Sequence, residues 1–225
     1  MEIKDLYNTL EQIHDCVYKR NEIEIDPQKK TFILLTGTTG AGKDTLLSAL
    51  IESNDISHVL TATSRLQREG ERENSHVWMR QRREGEGHDE FVSNLVNEYG
   101  LIEYDYHYDN LYGLPRESLE KEYPYTPVVR TDIKGLHTLT RELRDMDYNT
   151  VSVLIVPDSW EDVRSALSSR NDYDEKKMEG RIQEDIKNFE LFKQTDIVIH
   201  NSRDTGGLQR GIEGLRYVVN LVNKG

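Results

Sequence analysis

The sequence predicts an α/β protein in which a parallel, five-stranded sheet is flanked by helices. Five segments are predicted as strands, at 31–37, 57–65, 126–132, 150–157 and 196–201. The first of them is almost continuously apolar, as expected of a strand buried on both faces of a parallel sheet. Segments with helical spacing alternate with the strands, at 44–53, 158–170 and 176–194. This alternation is typical of parallel α/β sheets.

The composition restricts the classes of protein to be considered. The chain has 225 residues, which suits one α/β domain with insertions, and 36% of them are hydrophobic, which is enough for a core. No apolar run approaches the roughly 18–20 residues that span a bilayer, and the N-terminus lacks the apolar segment of a secretory signal. The net charge of −12 argues against broad nucleic-acid binding. With Cys16 as the only cysteine, a reducing cytoplasm is expected.

The first thirty residues are predicted to form a helical extension. Ile3, Leu6, Leu10, Ile13 and Val17 follow one another at steps of three and four, which places them on one face of an amphipathic helix. We expect this helix to pack on the domain that follows. The alternative is an arm that binds a partner or a second copy of the chain, which would make a homodimer.

A glycine-rich stretch after the first predicted strand has the spacing G-x-x-x-x-G-K. Such loops point backbone N–H groups at phosphate oxygens, the following helix adds its positive N-terminal end, and the lysine reaches the β- and γ-phosphates. The stretch therefore predicts a P-loop NTPase fold that binds nucleotide phosphates, but alone it does not choose between a GTPase, an ATPase motor and a small-molecule kinase. The residues predicted to contact ATP here are Gly37, Thr38, Thr39, Gly40, Ala41, Gly42 and Lys43.

Asp44 follows the loop lysine at a position where Ser or Thr is usual. Without that hydroxyl, a magnesium ion beside the phosphates has to be held by water, by Thr45 or by Asp44 itself. A carboxylate beside a triphosphate is tolerable when magnesium lies between them. Asp44 and Thr45 are therefore predicted as contacts of ATP and of Mg²⁺.

The polar middle of the chain, about 63–125, is predicted to be an insertion on the sheet. Arg65 and Arg68 follow the end of a predicted strand, where two guanidinium groups suit a second phosphate. The stretch 101–113 alternates between a polar, carboxylate-bearing side and a tyrosine-rich side, so it is predicted to be a strand. Its Glu103, facing a cleft, would accept N–H donors from a purine edge.

In their order and rough spacing, these motifs resemble those of the guanylate kinase family. The phosphate loop is followed by TSRLQREGE at 63–71, LIEYDYHYDNLYG at 101–113, RTDIKG at 130–135 and TDIVIHN at 195–201. The resemblance begins at about residue 31, so 31–225 is expected to form one guanylate-kinase-like domain. It implies ATP- and Mg²⁺-dependent phosphorylation of a (deoxy)nucleoside monophosphate, with GMP or dGMP as the expected acceptor.

The resemblance also assigns roles at the acceptor phosphate. It implies that Arg65, Arg68 and Tyr112 hold this phosphate, with Thr61 as a further contact. Glu71 would brace the arginines or the acceptor. The purine-reading role of Glu103 is implied in the same way.

On the donor side, the resemblance implies a helical lid at about 165–185. Arg170 and Arg181 would close over the triphosphate from this lid, and Asn201 would lie near the adenine. Asp132 would lie near the transfer site and its magnesium. The residues expected to act in catalysis are Lys43, Arg65, Arg170 and Arg181.

Four positions depart from the family pattern, and they cluster at the acceptor site. Val77 stands where the family has a phosphate-binding Tyr, and His76 where an Asp usually precedes it. Leu114 stands where a Ser or Thr usually helps to recognise guanine. Arg130 replaces the first Asp of the family's D-x-D and adds positive charge near the transfer site. The exact acceptor therefore stays open at the level of the sequence.

Three alternatives follow from these departures. The segments GKDT and ENSH (73–76) are similar to those of ribose 1,5-bisphosphate phosphokinases, which share this fold. Another or modified deoxynucleotide is a second choice of acceptor. A non-catalytic binding domain of the guanylate-kinase type is the third, and the intact phosphate loop argues against it.

Overall fold

The structure, a computed structural model, describes residues 2–67, 71, 73–107, 109–168 and 174–224. In chain order the strands are β1 (Glu11–His14), β2 (Val17–Lys19), β3 (Thr31–Gly37), β4 (Ile56–Val59), β5 (Ala62–Thr63), β6 (Val77–Trp78), β7 (Leu101–His107), β8 (Asn110–Pro115), β9 (Thr126–Arg130), β10 (Asn149–Val156) and β11 (Ile197–His200). The helices are α1 (Lys43–Glu52), α2 (His88–Tyr99), α3 (Arg116–Glu120), α4 (Ile133–Asp145), α5 (Trp160–Ser168), α6 (Glu175–Lys187), α7 (Phe189–Phe192) and α8 (Gly207–Val222).

The predicted parallel five-stranded sheet is present, in the order β4-β9-β3-β10-β11. All four of its strand pairs are parallel. β3 lies in the middle, with Leu35 paired to Arg130 on one side and Val153 on the other. The carboxyl ends of these strands therefore meet at one edge, where the phosphate loop follows β3.

The N-terminal helical extension is a wrong prediction. After a short 3-10 helix at Ile3–Leu6, the chain forms the antiparallel hairpin β1-β2. This hairpin pairs with β11 and extends the sheet to seven strands. The physical reason is that β11 offers unpaired backbone groups at the sheet edge, and Val17 gains both this pairing and complete burial there. Ile3 and Leu6 are buried as predicted, but not on one long helix.

Helices cover both faces of the sheet because successive side chains of a strand point to opposite sides. Along β3, Phe32 and Leu34 join a core with α4, α5, α6 and α7. Ile33 and Leu35 join a second core with α1 and α8. All four side chains are fully buried, which explains the apolar run that marks this strand in the sequence.

The insertion forms its own four-stranded sheet, in the order β6-β5-β8-β7. Two predicted strands are divided differently here. The segment 57–65 ends as β4 and restarts as β5 in the second sheet, and 101–113 folds into the hairpin β7-β8. The turn contains Asp109, which has a left-handed φ of 60°. Phe91 and Leu95 of α2 pack on this small sheet.

The helices α5 and α6 occupy the region predicted as a lid, about 165–185. The Nη2 atom of Arg164 on α5 lies 3.1 Å from Oε1 of Glu179 on α6, so an ion pair joins the two helices. Arg170, and likewise Arg68 of the insertion, lie outside the described residues. Within the described part of the chain, no helix is both long and apolar enough to cross a membrane.

Candidate active site

A cleft of about 350 Å³ lies at the carboxyl ends of the parallel strands, between the phosphate loop, the insertion and α6. It brings together residues that are far apart in the chain. The predicted site residues that line it are Gly37, Thr39, Gly40, Lys43, Asp44, Thr61, Arg65, Glu71, Glu103, Tyr112, Asp132 and Arg181. The predicted site residues that are described but lie outside its lining are Thr38, Ala41, Gly42, Thr45 and Asn201.

The phosphate loop is shaped by its second obligatory glycine. Gly42 caps α1 with a left-handed φ of 86°, and a Cβ atom there would lie 2.6 Å from Nδ2 of Asn201. A larger residue would thus meet both strain and a clash. Lys43 Nζ folds over the loop and donates to the carbonyl oxygens of Gly37, at 2.7 Å, and Thr38, at 3.0 Å.

Asn201 packs against the phosphate loop and is hydrogen-bonded to it. Its side chain is buried, and its Nδ2 donates to the carbonyl oxygen of Ala41 at 2.8 Å. The structure therefore gives Asn201 a role in holding the loop, and its predicted contact with adenine stays a prediction.

The acceptor side of the cleft contains a bidentate ion pair. Arg65 Nη1 lies 2.8 Å from one carboxylate oxygen of Glu71, and Nη2 lies 2.5 Å from the other. The guanidinium carbon of Arg65 also lies 5.3 Å from the centroid of the Trp78 ring. Such a pair fixes the orientation of the guanidinium plane, and a fixed guanidinium is suited to bind a phosphate.

His76 connects Arg65 to Arg130. The imidazole is buried, and burial, followed by the charges of Arg130 and Arg65, lowers its pKa to about 4. Nδ1 lies 3.2 Å from the hydroxyl of Thr61, whereas Nε2 lies 3.1 Å from Arg130 Nη2 and 3.4 Å from Arg65 Nη2. Because both arginines can only donate, we assign the ring proton to Nδ1 and the lone pair to Nε2.

Arg130 and Asp44, the two departures nearest the transfer site, form an ion pair. Arg130 is the last residue of β9, and its Nη1 lies 2.5 Å from Oδ1 of Asp44 at the start of α1. Relative to the family pattern, Arg130 adds a positive charge to the acceptor side and Asp44 adds a negative charge beside the phosphate loop. The ion pair brings these two added charges together.

Glu103 lies beside other carboxylates at the start of α4. Burial, followed by the charges of Asp132 and Asp105, raises its pKa from 4.5 to about 8. Asp132 caps α4 by accepting the backbone N–H of Gly135 at 2.7 Å. A Cβ atom on Gly135 would lie 2.6 Å from Oε1 of Glu103, so only glycine lets the carboxyl group approach this helix.

We expect GMP binding near pH 7.5 to release a proton from Glu103. With a pKa of about 8 the carboxyl is mostly protonated at this pH, and it would have to ionise to accept two N–H donors of guanine in the role that the family resemblance implies. Calorimetry in buffers of different ionisation enthalpy measures this release, which should fade as the pH rises above 9. The variant Glu103→Gln should show none, and an equal release from both proteins would assign the proton to another group.

Asp185 on α6 is a cleft residue that the sequence reasoning missed. Its Oδ2 accepts the backbone N–H of Thr39 in the phosphate loop at 2.6 Å. Burial raises its pKa, although the Thr39 N–H and the charge of Lys43 oppose the shift. The available signal was helical spacing, because Asp185 lies four residues after Arg181 and both line the cleft.

We expect Asp185→Asn to bind ATP roughly tenfold more tightly, because it removes a negative charge beside the phosphate loop while an amide oxygen still accepts from Thr39. Isothermal titration measures this affinity with Mg²⁺ present. Glu175→Gln, at the exposed start of the same helix, is the matched control. Weaker ATP binding by Asp185→Asn would instead indicate that this carboxylate helps to hold the metal.

Leu114 does not line the cleft. Its side chain is fully buried in the core shared with α4, although it is paired with Glu103 across the hairpin. The position thus contributes apolar packing beneath Glu103.

The described residues fit a magnesium-bound triphosphate. Thr38 Oγ1 is a buried atom of the phosphate loop without a hydrogen-bond partner in the protein, as expected where a ligand would satisfy it. The exposed carboxylate of Asp44 supplies an oxygen of the kind that Mg²⁺ prefers. Across the described part of the chain there is no cluster of three His, Cys, Asp or Glu that could hold a metal ion.

The fold and the cleft define a kinase of the P-loop class. A family model described as guanylate kinase matches residues 28–206. The chain therefore belongs to the guanylate kinase family, whose members are nucleoside monophosphate kinases.

Relatives and one solved structure agree with this assignment. The chain is 28% identical to the guanylate kinase of Mycoplasmopsis pulmonis over 177 residues, which cover 75% of this chain and 87% of that protein. It is 26% identical to the guanylate kinase of a Synechococcus species over 204 residues, which cover 90% and 89%. The crystal structure of guanylate kinase from Anaplasma phagocytophilum has the same fold, with a TM-score of 0.60, 20% identity and 88% coverage of each chain.

Proposed function

We propose that this protein catalyses the ATP-dependent phosphorylation of GMP or dGMP to the corresponding diphosphate. The observation that supports this most directly is that Lys43 of the phosphate loop lines the same cleft as Arg65 and Glu103 of the insertion. The two sets of residues suit the two substrates of such a transfer. The relatives named guanylate kinase support GMP as the acceptor.

On the acceptor side, Arg65 would bind the phosphate of GMP, since Glu71 already fixes the plane of its guanidinium. Tyr112 and Thr61 line the same wall. Glu103, once ionised, would accept the N–H donors of guanine, and Asp132 lies close enough to influence its charge. Guanine is favoured because it presents N–H donors where adenine presents an acceptor.

On the donor side, the loop from Gly37 to Lys43 would hold ATP, and Asp44 or Thr45 would orient the magnesium. ATP supplies the phosphoryl group, and Mg²⁺ neutralises part of the charge that develops during transfer. Lys43 and Arg181 would stabilise the remaining charge from opposite sides of the cleft. No general base is needed, because the acceptor phosphate is already ionised near neutral pH.

Closure of the cleft would exclude water, since water is a competing acceptor of the phosphoryl group. The helices α5 and α6 would move together in such a closure, because an ion pair between Arg164 and Glu179 joins them. The cytoplasm as the site of the reaction, a homodimer and the absence of nucleic-acid partners all stay predictions that this proposal does not require.

A coupled assay of ADP release tests the proposal. Purified protein is offered ATP and Mg²⁺ with each ribo- and deoxynucleoside monophosphate in turn, and we expect GMP and dGMP to give the highest kcat/KM. ADP release at the same rate without any acceptor would contradict the proposal, as would a preference for a pyrimidine nucleotide.

A further inference from the structure

Arg130 and Arg65 approach one point of the cleft from different elements. Arg130 ends β9 of the central sheet, whereas Arg65 follows β5 of the inserted sheet. Their Nη2 atoms lie 3.1 and 3.4 Å from the same imidazole nitrogen, Nε2 of His76. Two guanidinium groups held this close would be within reach of a single phosphate group.

The two arginines differ in the carboxylates that hold them. Arg65 is paired with Glu71, which belongs to the same inserted segment and holds both of its terminal nitrogens. Arg130 is paired through its Nη1 with Asp44, which lies at the start of α1 and directly follows the phosphate loop. His76 orients both arginines without neutralising either, because burial and their charges keep the ring uncharged near neutral pH.

A donor nucleotide bound in the phosphate loop would change the contacts of the Asp44 carboxylate. The side chain of Asp44 is 70% exposed, and it follows Lys43 directly. A carboxylate at this place is suited to coordinate a divalent cation held by phosphates, either directly or through water. A divalent cation competes strongly with a guanidinium for a carboxylate, because its charge is twice as large.

We propose that Arg130 is a further ligand of the acceptor phosphate, held by Asp44 until a magnesium-bound donor nucleotide occupies the phosphate loop. Asp44 then turns to the metal, and Arg130 joins Arg65 at the phosphate of the acceptor. His76 is a positioning residue that keeps the two arginines together. This inference rests on the proposed function and adds to it an order of events, in which donor binding prepares the acceptor site.

Titration calorimetry of GMP tests this inference without turnover. The protein is first saturated with a non-hydrolysable ATP analogue, either with Mg²⁺ or with EDTA. We expect Mg²⁺ to tighten GMP binding about tenfold in the unmodified chain, which corresponds to about 1.4 kcal/mol. Guanosine, which lacks the phosphate, should gain nothing from Mg²⁺.

Three variants show which residues the gain in GMP affinity from Mg²⁺ depends on. Arg130→Gln should lose the gain from Mg²⁺ while its affinity in EDTA stays unchanged, and Arg130→Lys should keep part of the gain. Asp44→Asn should bind GMP tightly in EDTA as well, because Arg130 is already released. Arg141→Gln, an exposed arginine of α4, is the matched control and should behave like the unmodified chain.

The outcomes separate this inference from the proposed function. A gain from Mg²⁺ that persists in Arg130→Gln would overturn the inference, and so would an equal loss of affinity with and without the metal. If Arg130→Gln fails to fold in a thermal melt, Asp44→Asn decides by the same titration. Absence of GMP binding by the unmodified chain under every condition would overturn the proposed function itself, and the inference with it.

Discussion

Replacement of Lys43 by alanine is expected to lower kcat/KM for phosphoryl transfer by about 10²- to 10³-fold. The reason is that the variant lacks the preorganised ammonium group that would stabilise negative charge on the phosphoryl group during transfer. The fold should survive. Lys43 Nζ donates to the loop carbonyls of Gly37 and Thr38, and its loss therefore alters the loop rather than either apolar core. The coupled ADP-release assay and a thermal melt measure the two quantities.

Lys121→Ala is the matched control for this variant. Lys121 is exposed at the end of α3, and its side chain contacts Glu117 at 3.7 Å, far from the phosphate loop. The control should keep full activity. A folded Lys43→Ala protein with near-normal turnover would show that the loop does not bind the donor phosphates as proposed.

Replacement of Glu103 by glutamine is expected to lower kcat/KM for GMP by roughly 10²- to 10³-fold, because a buried site built for hydrogen bonds penalises a mismatched partner. A carboxylate accepts both N–H donors of guanine. A glutamine offers one acceptor and one donor, which match adenine better, so the ratio of AMP to GMP activity should rise.

Stability should not confound this result. The pKa of Glu103 is about 8 in the folded protein and near 4.5 in an unfolded chain, so the folded state binds more protons between these values. The free energy of unfolding due to Glu103 therefore falls as pH rises from 4.5 to 8, and glutamine removes this loss. Glu117→Gln, at an exposed position of α3, is the control, and equal losses for GMP and AMP would argue against base reading by Glu103.

The sequence predicted the parallel sheet and the phosphate loop because both depend on local patterns. A buried strand such as β3 has to be apolar on both faces, and a loop that wraps a phosphate needs glycines at fixed spacing. Each pattern is present within a dozen residues. The structure accordingly has the five parallel strands in the expected sheet and the loop at its carboxyl edge.

The N-terminal hairpin shows why some elements could not be predicted from the sequence. Steps of three and four from Ile3 to Val17 satisfy a helix, but they do not report that the edge of β11 is available for pairing. The turn at Asp109 was hidden in the same way, because alternation continues on both sides of it. In both places tertiary contacts outweighed local preference.

The cleft shows the same limit for individual side chains. Asp44 and Arg130 each depart from the family pattern, but they are 86 positions apart and no local sequence pattern pairs them. Asp185 lies on a polar helix whose charges look alike in the sequence, and only its approach to Thr39 distinguishes it. Contacts between distant elements form only in the folded chain. The sequence therefore predicts which residues belong to the site better than it predicts which of them contact one another.

The hairpin β1-β2 has a practical consequence for where the folding unit begins. The family model starts at residue 28, so a shortened protein cut to that boundary would lose the hairpin entirely. It would leave the backbone N–H and C=O groups of β11 open to strands of other molecules, a common route to aggregation. It would also uncover Ile199 and Gly214, against which Val17 and Cys16 now pack. We therefore expect the 27 residues that precede the family match to protect the full chain from this route to aggregation.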